Sequence, residues 1–128
     1  TVLVEGDDMN EPITDAVRGI LDGHLVLSRE LATRNHFPSI DVLESVSRLD
    51  RSISTEEQLE VAGKASDMLA LYRRSEDLIN VGAYRPGTNP RLDQAVRQYD
   101  PLCSFLKQES GRLFAREETF ELLAEAVG

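Results

Sequence analysis

A mainly α fold is what this sequence predicts, with a helical bundle over about residues 51–128 preceded by a short mixed α/β part over about residues 1–50. Three observations lead there. Apolar residues recur at helical spacing through the last two thirds of the chain. Two short apolar, β-prone runs lie in the first third only. A capping sequence at Ser54–Glu57 separates the two regimes. The 128 residues suffice for a modest core, and 41% are apolar while only 5% are aromatic, which suits aliphatic helix packing.

Thr1-Val2-Leu3-Val4-Glu5 reads as a strand taken from a larger sheet, and Gly6 to Glu11 as a loop. Pro12 fits a first helical position, where its missing N–H costs nothing. Ile13, Val17, Ile20 and Leu21 then predict a helix over 12–22, closed by Gly23. His24–Ser28 predicts a second strand. Arg29–Asn35 predicts one or two helical turns, stopped at Phe37-Pro38 because a residue before proline avoids the α region. Residues 41–50 are ambiguous by pattern alone. Two strands do not make a stable sheet alone, so the first third is expected to be a remnant of a larger α/β domain.

Ser54-Thr55-Glu56-Glu57 has the form of a capping box, with Ser54 as N-cap and Glu57 at N3. A long helix follows through Leu59, Ala62, Ala65, Leu69 and Tyr72 to about Val81-Gly82. Arg85-Pro86-Gly87-Thr88 is turn chemistry. Asn89-Pro90 predicts a helix with Leu92, Ala95, Val96 and Tyr99 on one face, and Asp100-Pro101 predicts the start of another. Phe120, Leu123, Ala124 and Val127 place the last helix at about 115–127.

Composition removes several function classes. A formal net charge of −9 lacks the basic face that nucleic acid or an anionic membrane requires. No apolar run approaches the roughly 20 residues of a membrane span, and no basic-then-apolar leader opens the chain, so a cytoplasmic protein is expected. The lone Cys103 reads as a buried structural thiol rather than a nucleophile. His24 and His36 have no third ligand at metal spacing. Asp7, Asp8 and Glu11 read as a solvated acidic loop, and Arg29 as one member of a structural ion pair. No metal site is expected in this segment.

Several ordered blocks resemble the ATPases that drive flagellar and type III protein export. They are Val4–Ile13, Ile20–Arg29, Phe37–Leu43, Ser45–Arg48, Gly82–Gly87 and Phe105–Gln108. The likeness spans nearly the whole chain and weakens after about residue 109. The family is similar to the catalytic subunits of rotary ATP synthases and forms homohexameric rings with nucleotide between subunits. The resemblance implies that residues 1–50 end a RecA-like ATP-binding domain and that 51–128 form the C-terminal helical domain. It implies that Arg48, closing the Ser-Val-Ser-Arg block, acts as an arginine finger in the neighbouring subunit's ATP site. A guanidinium suits that task because it stays charged and its planar fork is pre-organised against developing phosphate charge.

The resemblance further implies that Phe37 and Tyr84 flank the adenine. Base stacking on an aromatic contributes roughly 1–3 kcal/mol. ATP and Mg²⁺ are the implied substrate and cofactor, with the Mg²⁺ ligands upstream of this segment. The chain contains no G-x-x-x-x-G-K-[ST], so the segment is expected to be inactive alone. Implied partners are further copies of the protein, stalk and regulator proteins of the export apparatus, and export chaperones and substrates. The implied place is the cytoplasmic face of the bacterial inner membrane, reached through those partners. Two other readings stay open: a helical protein-binding module with no catalytic role, and a subunit of a proton-translocating rotary ATP synthase. The Asp-Asp-Met-Asn-Glu-Pro block speaks against the latter.

Overall fold

A computed structural model of the chain describes residues 11–128. The strand expected at Thr1–Glu5, and Asp7 and Asp8, lie outside the described residues. The observed architecture is mainly α: a two-stranded hairpin with short helices, then three longer helices packed together.

Helix α1 (Pro12–Ile20) starts as expected at a proline. Glu11 is not loop acid but its N-cap: its Oε2 accepts from the Thr14 backbone N–H at 3.1 Å and from the Thr14 hydroxyl at 3.2 Å. Strand β1 (Gly23–Leu27) follows. Ser28, expected as its last residue, instead caps α2 (Arg29–Thr33), accepting from the Leu31 N–H at 3.3 Å.

The ambiguous stretch resolves into strand β2 (Ile40–Ser47) and a helical turn, α3 (Asp50–Ile53). β2 runs antiparallel to β1, pairing Gly23 with Ser47 and His24 with Val46 at one end, and Val26 with Asp41 and Leu27 with Ile40 at the other. Residues 42–45 thus stand opposite Leu25 alone, a wide bulge. Side chains close it: Ser45 Oγ accepts from the Val26 N–H at 3.0 Å and donates to the Asp41 carbonyl at 2.6 Å. Gly23 is required here by space, since a Cβ would sit 2.5 Å from the Val46 carbonyl oxygen.

Helix α4 (Glu56–Asn80) does begin at a capping box, but one residue later than expected, at Thr55 and Gln58. Ser54 is already committed, donating to Asp50 Oδ1 at 2.8 Å and accepting from Arg116 Nη2 at 2.9 Å. Gly82, with φ of +73°, closes the helix as predicted. Helix α5 (Pro90–Leu106) corrects a second expectation: Pro101 lies inside it and starts no new helix. An interior proline removes one backbone hydrogen bond. Breaking the helix there would withdraw Leu102, 1% exposed, and Phe105 from the core.

Helix α6 (Arg116–Val127) lies where the periodicity puts it. The core forms where α4, α5 and α6 meet, around Ala65, Leu102, Ala126 and Val127, with Val61, Met68, Leu69, Phe105 and Leu123 packed on it. Tyr72 of α4 and Tyr99 of α5 stack at 3.5 Å between ring centroids. Among the described residues no helix is long and apolar enough to cross a membrane.

Candidate functional site

Arg48 follows the last residue of β2, and its position is set by backbone. Its N–H donates to the Asp22 carbonyl at 2.8 Å, just past α1. Its side chain turns onto the end of α1. Nη1 donates to the Gly19 carbonyl at 3.0 Å and Nη2 to the Arg18 carbonyl at 3.2 Å. Last-turn carbonyls are the negative end of a helix and favour a cation. The residue is nevertheless exposed, and both its partners are neutral. The guanidinium is therefore aimed by neutral acceptors, and no carboxylate among the described residues pairs with it. That arrangement leaves its charge available to an anion arriving from outside the chain.

Phe37 lies in the turn after α2, 52% exposed. Its carbonyl accepts from the Gln108 N–H at 2.9 Å, which ties this turn to the end of α5. Phe37 lines an open groove with Lys107, Gln108, Arg112 and Phe114. The Arg112 guanidinium lies 4.9 Å from the centre of the Phe114 ring. With Glu109 beside Lys107 and Arg112, the groove has mixed charge, and its two aromatic faces have the make-up to take a flat base.

Tyr84 does not line this groove. Its hydroxyl donates to Asp93 Oδ1, and its N–H donates to the Leu78 carbonyl at 3.1 Å. Asp93 Oδ2 also accepts from the Gly87 N–H at 2.9 Å. Tyr84 thus pins the α4–α5 loop onto the first turn of α5. The hydrogen bond to Asp93 pushes the Tyr84 hydroxyl's pKa up, and the same bond, with the Gly87 N–H, holds the Asp93 carboxyl below its ordinary value. Of the two expected aromatics the groove holds Phe37, and its second aromatic is Phe114. Phe114 lies between α5 and α6, where no periodicity marks it.

A separate cavity of about 230 Å³ sits between the hairpin part and helices α4 and α5. His36, 6% exposed, and Cys103 contribute to its lining. Burial, then the charge of Lys107, lowers the His36 pKa. Burial raises that of the Cys103 thiol against the opposing effect of Tyr99. Cys103 is therefore a protonated, half-buried thiol without the depressed pKa a nucleophile needs. Among the described residues no group of three or more His, Cys, Asp or Glu could hold a metal ion.

The chain is similar to known proteins. A family model described as T3SS EscN ATPase C-terminal domain matches residues 54–125. A second, the nucleotide-binding domain of the ATP synthase alpha/beta family, matches residues 1–47. The chain is 49% identical over its whole length to a flagellum-specific ATP synthase of Bacillus subtilis, of which it spans 29%. It is similar, with a TM-score of 0.95 and 41% identity, to the assembled ATPase EscN of the enteropathogenic E. coli type III secretion system, covering 31% of that chain. It also resembles EscN in complex with its central stalk EscO, with a TM-score of 0.85 and 40% identity over 91% of this chain and 29% of that one. The chain thus belongs to the family of flagellar and type III secretion ATPases and represents its C-terminal region.

Proposed function

We propose that this chain is the C-terminal part of a hexameric ATPase that powers protein export through a flagellar or type III secretion apparatus. In this reading residues 1–50 end the ATP-binding domain and residues 51–128 are a docking domain. The two family matches, which stop at residue 47 and start at residue 54, support that division. Arg48 acts as the finger of the adjoining protomer's ATP site. The observation that carries this is its exposed guanidinium, fixed at a strand end by two main-chain carbonyls and by no acid among the described residues.

During phosphoryl transfer, charge builds on the γ-phosphate oxygens, and a fixed guanidinium stabilises it without reorganising. Phe37 provides a stacking face for the adenine. Phe114 closes the groove in which Phe37 sits, while Tyr84, the other aromatic the family likeness implies, is engaged with Asp93. Bound Mg²⁺ would neutralise phosphate charge, its ligands lying outside this segment. The segment alone, without a phosphate loop, is inactive. Assembly into a ring and contact with a stalk are supported by the named assemblies of EscN. Leu78 and Val81, 53% and 76% exposed at the C-terminal end of α4, fit an apolar docking tip for such a stalk. Regulators, chaperones and export substrates complete the proposed partners, at the cytoplasmic face of the inner membrane.

The test is Arg48→Ala in the full-length ring. Turnover of ATP is expected to fall by on the order of a thousandfold with hexamer assembly kept. Arg48→Lys is expected to restore little, because an ammonium lacks the planar fork. Unchanged turnover would remove Arg48 from the mechanism.

A further inference from the structure

Helix α4 grips the hairpin part through two crossed ion pairs. Arg34 of the α2 end reaches Glu76 at 3.1 Å, and Arg73 reaches Asp41 of β2 at 2.8 Å, with Glu44 at 3.8 Å. Arg73 and Glu76 lie one turn apart, on one face of α4. Arg73 is half-exposed, and exposed pairs of this kind add little stability. What sets this one apart is its acceptor. The Asp41 side chain is only 13% exposed, and its Oδ1 also accepts from the Leu43 and Glu44 N–H groups at 3.1 and 3.2 Å. Asp41 therefore organises the bulge between β1 and β2. That bulge sets how the far end of β2 pairs with β1, and Arg48 leaves β2 at that end. A change of register there would turn successive side chains to the opposite face.

We propose that Arg73 and Asp41 are a positioning pair that couples the orientation of the helical domain to the presentation of Arg48. Movement of α4 pulls on Asp41, the bulge shifts, and β2 carries the shift to the guanidinium. The idea rests on the finger reading of Arg48 given above and extends it to a control of that finger by the helical domain.

The experiment uses full-length hexameric protein with Arg73→Ala, Arg73→Lys and Asp41→Asn, each alone and Arg73→Ala also combined with Arg48→Ala. Asp41→Asn retains the acceptor oxygen of the bulge and removes only the charge. Steady-state ATP hydrolysis gives kcat and KM, single-turnover hydrolysis follows the slow variants, and sizing reports ring assembly. Coupling predicts that Arg73→Ala and Asp41→Asn each lower kcat about tenfold, with KM within twofold and rings intact. Arg73→Lys should recover most of the loss. Adding Arg73→Ala to Arg48→Ala should change the rate by less than twofold, because the finger is already gone. Normal kcat in Arg73→Ala, a loss confined to KM or assembly, or a full multiplication of the two losses would overturn the coupling. Should Arg48→Ala itself be without effect, the finger reading fails, whatever the clamp variants do.

Discussion

Tyr84 and Asp93 show how one hydrogen bond can fasten a loop. The phenol is committed to a carboxylate at the start of α5, where it fastens the loop leaving α4. Because Asp93 is held below its ordinary carboxyl value, the folded state binds that proton less readily than the unfolded chain does. The pair therefore supports folding above the unfolded carboxyl's pKa, and its support is lost as pH falls through the lower folded value. NMR titration of the Asp93 carboxyl should give a pKa below the ordinary 3.8 in the parent chain. It should move back towards 3.8 in Tyr84→Phe. No movement would mean that the Gly87 N–H alone sets it. Arg48 presents the opposite case. Nothing in the local pattern around it distinguishes it from a surface arginine, and the role proposed for it comes only from the likeness of Ser45–Arg48 to a family block. The structure adds the carbonyl seat on α1.

At the scale of elements, what could be read in advance depended on how regular each element is. Helices α4 and α6 bury aliphatic stripes at constant spacing, and both lie where their periodicity puts them. Strand β2 could not be recognised because half of its length is bulge. Asp41, Glu44 and Ser45 serve hydrogen bonds there instead of an alternating apolar face. Helix α5 was expected to break at Pro101, yet burial of Leu102 carries it through. The capping box was off by one because Ser54-Thr55-Glu56-Glu57-Gln58 holds two overlapping boxes, and the structure uses Ser54 to close α3. Thr55→Ala should therefore lower stability by about 1 kcal/mol in chemical denaturation, the usual cost of losing an N-cap. An effect near zero would mean that α4 starts without that cap.

For the molecule as a whole, two kinds of order meet. The bundle of α4, α5 and α6 has its own aliphatic core. The hairpin part leaves Ile13, Ile20, Leu25 and Leu27 at 70% exposure or more, apolar surface that suits covering by a larger nucleotide-binding domain. The ion pairs of Arg34 and Arg73 join the two, and the coupling proposed above would carry motion of the bundle to the strand that precedes Arg48. Completion of the next protomer's ATP site is the role proposed for Arg48. It is tested most directly by a structure of the full-length ring trapped with a γ-phosphate transition-state mimic. In that role the Arg48 guanidinium lies about 3 Å from the mimic in the adjoining protomer's cleft. A guanidinium still seated on the Gly19 and Arg18 carbonyls in every loaded interface, away from each nucleotide, would contradict it.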